Sequence, residues 1–369
     1  MTSLMIVAGA RPNFMKVAPI LRALGRGDAP WRPVLVHTGQ HYDAHMSDVF
    51  FRDLGIREPD VHLGVGSGRH GEQTARILTE FEALLCATEP RPAGVVVVGD
   101  VNSTVACALA AVKLGIPVAH VEAGLRSFDR AMPEEINRVV TDHIADLLLV
   151  SEPAGEDNLA REGIAAERVH YVGNVMIDSL VAELSRARAL DMPAKLGIAP
   201  GGYVAVTLHR PSNVDHGDRL AALIDLILEV AASAPVVFPI HPRTRQALST
   251  FGLTDRLSGA RGVIACEPMG YREILGVMAE AALVITDSGG VQEETTYLGV
   301  PCLTLRPNTE RPVTTTHGTN VVTGDDLSRA RDLALTTLAG KRPMTSRTIR
   351  GWDGHAAGRI ADHLIATWA

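Results

Sequence analysis

The chain has 369 residues, 46% of them apolar, and a formal net charge of -7. That length divides naturally into two domains with sizeable cores, and an acidic balance with no basic block argues against nucleic acid or an anionic membrane surface as a partner. No apolar run reaches transmembrane length, the first residues lack the regions of a signal peptide, and Cys86, Cys107, Cys266 and Cys302 are scattered without metal-binding spacing, which points to a cytoplasmic protein with reduced thiols.

Short apolar runs alternate with segments of helical period. Strands are expected at Leu4–Val7, Val34–Val36, Val95–Val98, Ile116–His120 and Leu147–Val150, with helices over Phe14–Leu24, Thr74–Leu85, Val105–Leu114 and Glu134–Ile144. The rhythm restarts at Tyr203–Thr207, Val236–Pro239, Val263–Cys266, Leu283–Thr286 and Pro301–Leu305. Alternation of this kind predicts an α/β fold of βαβ units with covered parallel sheets. An interruption between Gly173 and Gly202 marks the junction, which divides the chain into residues 1–172 and 173–349. The amphipathic end, 350–369, is long enough to cross back onto the first domain.

In an open parallel sheet, ligands bind beyond the carboxyl ends of the strands. The first strand ends in Gly9-Ala10-Arg11-Pro12-Asn13, and Lys16 follows on a helix; Arg11 and Lys16 at that mouth suit a diphosphate. Asp100 closes the Val95–Val98 strand at a helix start, where N-capping is its bland role. Glu122 stands on the rim after the next strand. Glu134 follows Pro133 at another helix start, where the dipole favours it. Capping does not explain three carboxylates at neighbouring strand ends, and such a cluster supplies acid and base forms together. If these groups transfer protons, their amide variants should fold with little loss of stability. The spelling Gly66-Ser67-Gly68-Arg69-His70-Gly71 fits GxGxxG, but it follows a weak strand and is not the first βα unit, so a flexible loop is the better reading.

In the second half, strand ends carry His209-Arg210 and His241-Pro242-Arg243, whose imidazoles can titrate near neutrality. Their neighbours are Arg and Pro rather than further ligands, so no metal is expected. The run Thr286-Asp287-Ser288-Gly289-Gly290-Val291-Gln292-Glu293-Glu294 reads as a phosphate cradle, with Ser288, Gly289 and Gly290 at a helix N-terminus and Glu294 set to accept from ribose hydroxyls. Arg306 and Arg311 follow the next strand.

These residues together resemble the non-hydrolysing UDP-N-acetylglucosamine 2-epimerase family. The resemblance runs nearly the whole length, through Gly9-x-Arg11-Pro12, Thr38-Gly39-Gln40-His41, Gly99-Asp100, His120-Val121-Glu122-Ala123-Gly124-Leu125-Arg126, Pro133-Glu134-Glu135-x-Asn137-Arg138, His209-Arg210 and Asp287–Glu294. It implies the glycosyltransferase-B architecture of two Rossmann-like domains, a UDP-N-acetylhexosamine substrate with UDP on the second domain, a homodimer, and no cofactor. It implies catalytic roles at Asp100, Glu122, Glu134 and His209, and substrate binding through Arg11, Lys16, Arg138, Arg210, His241, Ser288, Gly289, Gly290, Glu294 and Arg311. Ser212, Asn13, Ile274 and Asp43 depart from the common pattern. The phrase Thr38–Asp43 is also similar to members acting on a UDP-2,3-diacetamido uronic acid.

A pyranose C2 hydrogen is not acidic. Without a dinucleotide fingerprint, elimination across C1–C2 and re-addition of UDP is the favoured route to inversion. A hydrolysing epimerase, a glycosyltransferase and a non-catalytic UDP-sugar sensor are the alternatives.

Overall fold

The computed structural model describes residues 1–25, 29–40, 55, 57–340 and 348–369. Two compact units make up the chain: Met1–Ala182 with Arg350–Ala369, and Glu183–Ile349. The division falls inside the helix Val175–Ala189, whereas the sequence pattern sets the junction before it, at 173.

The first unit holds a sheet of seven strands: β1 (Ser3–Ala8), β2 (Arg32–His37), β3 (Val61–His62), β4 (Gly94–Val98), β5 (Val118–Ala123), β6 (Leu147–Val150) and β7 (Val169–Tyr171). Their order is β3-β2-β1-β4-β5-β6-β7, and every recorded pairing is parallel. β4, at the centre, is a continuous apolar run because both faces are covered by helices; all of Val95–Val98 is buried. The order reverses between β1 and β4. Chain segments leave those two strands in opposite directions there, which opens the crevice where such sheets take ligands.

The second unit repeats the plan with β8 (Val204–Thr207), β9 (Val236–Pro239), β10 (Val263–Cys266), β11 (Leu283–Thr286), β12 (Cys302–Thr304) and β13 (Asn320–Val322). The order β10-β9-β8-β11-β12-β13 puts its switch point between β8 and β11. Each unit is thus a Rossmann-like doubly wound sheet.

The segment after residue 349 completes the first unit. Its helix, Ala356–Trp368, packs along the helix Arg11–Leu24. Asp178 accepts from the N–H groups of Ala356 and Ala357 at 3.1 and 2.7 Å, satisfying donors that a helix start leaves orphaned. Trp352 Nε1 donates to the Ser151 carbonyl at 3.0 Å. At the other end Trp368 lies on β4, where a Cβ on Gly94 would collide with its ring. Among the described residues no helix is long and apolar enough to cross a membrane. Gly94→Ala should therefore destabilise the first unit by about 1–3 kcal/mol through overpacking. In a urea-unfolding double-mutant cycle, Trp368→Ala should remove most of that penalty; additive losses would show that the ring does not set it.

Candidate functional site

At the switch point of the first unit, the chain leaves β1 into the helix Arg11–Leu24. Arg11 is its first residue, and its side chain lies outside the described set, as do His41, Tyr42 and Asp43. Lys16 sits one turn further and is buried with Glu122. The Lys16 ammonium pairs with Glu122 Oε2, while Glu122 Oε1 is buried with no hydrogen-bond partner among the described residues. Glu122 is not on the rim beyond its strand, as expected from sequence, but inside β5. The register of β5 against β6 shifts between Val121 and Ala123, and Glu122 has φ +69°. It is the extra residue of a bulge, a device that re-aims a side chain at the cost of local strain. Gly99, with φ +68°, closes the turn after β4; a Cβ there would lie 3.1 Å from Lys16 Nζ and 3.4 Å from Glu122 Oε2.

The turns around this pair are fixed by side chains. Asn13 Oδ1 accepts from the N–H groups of Gly9 and Ala10 at 3.1 and 2.8 Å, and its Nδ2 donates to the Val98 carbonyl at 3.1 Å, so one amide joins the ends of β1 and β4. His120, fully buried, meets the Gly99 carbonyl through Nε2 at 2.8 Å and Asp142 Oδ1 through Nδ1 at 2.7 Å. Burial works against ionisation of Asp142, but His120 and Arg126 hold its carboxyl below the usual range.

Asp100 pairs with Arg138. Arg138 also donates through Nη2 to Glu135 Oε2 at 2.7 Å, and Glu135 accepts from the N–H groups of Ser127 and Phe128, both at 2.9 Å. Burial of Glu135 is outweighed by the Ser127 N–H and the Arg138 guanidinium, which hold its carboxyl low. Arg138 thus fastens Asp100 to the helix Pro133–Ile144. Glu134, half-buried at the start of that helix, makes no ion pair or side-chain hydrogen bond among the described residues. The cluster anticipated from sequence is therefore interleaved with cations at two of its three members.

In the second unit Asp287 is the hub. It is fully buried after β11 and accepts from the N–H groups of His209 at 3.1 Å and Arg210 at 2.9 Å, and from Asn213 Nδ2 at 3.2 Å. His209 Nδ1 lies 3.1 Å from its Oδ1. Burial opposes the charge, and His209 with these donors holds the carboxyl low. The His209 and His241 rings stand 5.3 Å apart, and His241 caps the helix Pro242–Thr250 by accepting from the Arg243 N–H at 3.2 Å. Ser288 stands at the N-cap of the helix Gly289–Leu298, whose first N–H groups, at Gly289 and Gly290, are among those a helix cannot satisfy internally. Arg311 reaches this helix start: a Cβ on Gly289 would lie 2.8 Å from its Nη1. Its guanidinium is held by Glu293 at 2.9 Å and Glu310 at 2.5 Å. Arg306 pairs with Glu310 at 2.9 Å and so braces Arg311 from behind. Glu294 lies one turn into the helix; burial, with Glu293 beside it, pushes its carboxyl up to about 7 despite a hydrogen bond from Tyr271. Among the described residues no group of His, Cys, Asp and Glu is arranged to hold a metal.

Sequence reasoning missed the residues that hold the site rather than line it: Asn13, Glu135, Asp142 and Tyr271. Asn13 had a local signal, standing three residues after the first strand's turn where a capping side chain reaches back. Asp142 and Tyr271 act through partners 22 and 23 positions away, and Glu135 through a turn at Ser127–Phe128 whose path no spacing announces.

Two consequences are measurable. Removing one member of a buried ion pair leaves the other uncompensated, at about 3–5 kcal/mol. Glu122→Gln should lose that much by urea unfolding, contrary to the sequence expectation of a harmless amide, whereas Glu134→Gln should stay within about 0.5 kcal/mol of the parent. The second concerns Glu294. With its folded value raised from 4.5 to about 7, it costs the fold nothing while both states are protonated. The penalty grows as pH rises from 4.5 through 7, because the unfolded chain ionises first. Glu294→Gln should then gain on the parent by up to about 3 kcal/mol between about pH 4 and pH 8; a pH-independent difference would contradict the burial argument.

Comparison with known proteins places these features. A family model described as UDP-N-acetylglucosamine 2-epimerase matches residues 26–365. The UDP-N-acetylglucosamine 2-epimerase of Methanocaldococcus jannaschii is 42% identical over 97% of this chain and 98% of its own length. The UDP-2,3-diacetamido-2,3-dideoxy-D-glucuronate 2-epimerase of Pseudomonas aeruginosa is 40% identical over 98% and 99%. A crystal structure of the M. jannaschii enzyme with UDP-GlcNAc and UDP superposes with a TM-score of 0.90 at 41% identity, covering 99% of this chain and all of that one. The fold class is α/β with two Rossmann-like domains, of the glycosyltransferase-B kind. Two doubly wound units, a family match over most of the length and a near-complete structural likeness lead to one conclusion: the chain belongs to the UDP-N-acetylglucosamine 2-epimerase family.

Proposed function

We propose that the protein inverts C2 of UDP-N-acetylglucosamine, giving UDP-N-acetylmannosamine without net hydrolysis. The observation that carries the reading is Glu122: a carboxylate aimed by a strained bulge, with one oxygen on Lys16 and the other buried without a partner among the described residues. Strain and an unsatisfied polar atom at a switch point are what a reaction site retains and a packing site does not.

In the proposed route a base takes the C2 proton, the C1–O bond breaks with its electron pair leaving on UDP, and a C1–C2 double bond forms, giving a 2-acetamidoglucal. A second acid protonates C2 from the opposite face, and the UDP oxygen re-forms the bond to C1. Asp100, Glu122, Glu134 and His209 are the proton-transfer groups, and no single carboxylate is assigned as base. Lys16 and Arg138 orient Glu122 and Asp100, and Asp287 orients His209. Arg11, Arg210, His241, Arg311 and the Ser288–Gly290 turn receive the negative charge that develops on the departing diphosphate. Glu294 accepts from the ribose. No nicotinamide or metal takes part in this route.

A second reading has specific support: the 40% identity to the P. aeruginosa enzyme makes a UDP-2,3-diacetamido uronic acid the alternative substrate. Incubation of purified protein with each sugar nucleotide, in EDTA and without NAD, separates the two by proton NMR. UDP-ManNAc is expected from UDP-GlcNAc, with deuterium entering C2 when the reaction runs in deuterium oxide. Turnover of the uronate alone would move the assignment, and product carrying only hydrogen at C2 after full equilibration would exclude elimination with exchangeable acids. Asp100→Asn and Glu134→Gln should each cost about two to four orders of magnitude in rate.

A further inference from the structure

The second unit holds a buried carboxylate whose surroundings do not match its burial. Its neighbours follow the usual rule that a buried charge is paired: Asp287 meets His209, Glu310 meets Arg306 and Arg311, and Glu183 meets Arg272. Glu294, only 5% exposed, has no cationic partner among the described residues. Its one hydrogen bond comes from the Tyr271 hydroxyl, which donates to Oε1 at 3.0 Å. Oε2 makes none among the described residues.

The donor is itself a placed group. Tyr271 is buried at the first position of the helix Tyr271–Ala279, packed beside the helix that carries Glu294. Burial and the Glu294 charge both favour its neutral form, so it holds its proton and can act only as a donor to the carboxylate. The choice of a phenol has a consequence. An arginine here would neutralise the carboxylate and occupy both oxygens in a fork. A phenol supplies one proton from a rigid ring, so it fixes one oxygen and leaves the lone pairs of the other unused.

We propose that Tyr271 is a positioning residue for nucleotide recognition: by holding Oε1 it aims Oε2 of Glu294 at the ribose hydroxyls. The inference rests on the reading that the second unit binds UDP. Tyr271 acts through Glu294, so its influence falls on binding and on the discrimination of ribose from deoxyribose.

The test uses the intact protein with UDP and 2′-deoxy-UDP as probes. Tyr271→Phe keeps the ring and removes one hydroxyl. It should raise the Kd for UDP and the KM for the sugar nucleotide by roughly three- to tenfold, as for one lost hydrogen bond, with kcat unchanged. The preference for UDP over 2′-deoxy-UDP should shrink by a similar factor. Glu294→Gln should lose the same preference, and adding Tyr271→Phe to it should cost nothing more. Equal weakening toward both nucleotides, or an unchanged preference, would overturn the assignment and leave Tyr271 a packing residue. Failure of the parent protein to bind UDP at all would instead overturn the nucleotide reading beneath it. Since the deoxy ligand probes the unaltered protein too, absence of any ribose preference in the parent would also sink the proposal, whether or not the variant folds.

Discussion

An ammonium and a carboxylate set side by side in a buried site dominate the first unit. Neither Lys16 nor Glu122 could be buried alone, since an uncompensated charge in that environment is among the most expensive features a fold can carry. Their pairing in turn dictates what surrounds them. β5 must bulge so that Glu122 turns toward the helix carrying Lys16. The turn after β4 favours glycine, because Gly99 takes a positive φ and Lys16 Nζ and Glu122 Oε2 crowd the place of a Cβ. His120 and Asn13 then hold that turn by its carbonyl groups, at Gly99 and Val98. The strained backbone at Glu122 persists because so many neighbours over-determine it.

The second unit reaches a comparable rigidity by another means. One carboxylate, Asp287, gathers backbone and side-chain donors from the turn after β8, and a chain of alternating charge from Arg306 through Glu310 to Arg311 and Glu293 stiffens the start of the neighbouring helix. Each unit holds a carboxylate, Glu122 or Glu294, that has one oxygen tied down and the other without a hydrogen-bond partner among the described residues. Such half-satisfied groups are preorganised acceptors, oriented by the protein before anything else arrives.

Much of this fold is written in local pattern. The strands Leu147–Val150, Val236–Pro239, Val263–Cys266 and Leu283–Thr286 can be read to the residue, since a short apolar run bounded by turn residues has few other outcomes in an α/β chain. The edge strands Val169–Tyr171 and Asn320–Val322 are three residues each and only partly buried, too short for a period to emerge. Residue types at strand ends singled out Asp100 and the Ser288–Gly290 turn, which stand just past β4 and β11, whereas Glu122, expected on the rim, lies within β5 because a bulge cannot be read from residue type. The partners of those residues were not legible. That Arg138 would reach back to Asp100, or Tyr271 across to Glu294, depends on which helices pack together, and spacing along the chain does not encode it.

The return of the last helix to the first unit has a bearing on biosynthesis. Glu183–Ile349 is one unbroken stretch, so its sheet has all its parts as soon as that stretch has left the ribosome. The earlier unit must wait for Arg350–Ala369. At ~5–20 residues per second of synthesis, roughly ten to forty seconds separate the emergence of its first part from that of its last. During that interval the surface of β4 around Gly94, and the helix face that Ala356–Trp368 will cover, stand open to water. The first unit to begin emerging is the second to be completed, and the apolar face that its last helix covers is buried only then.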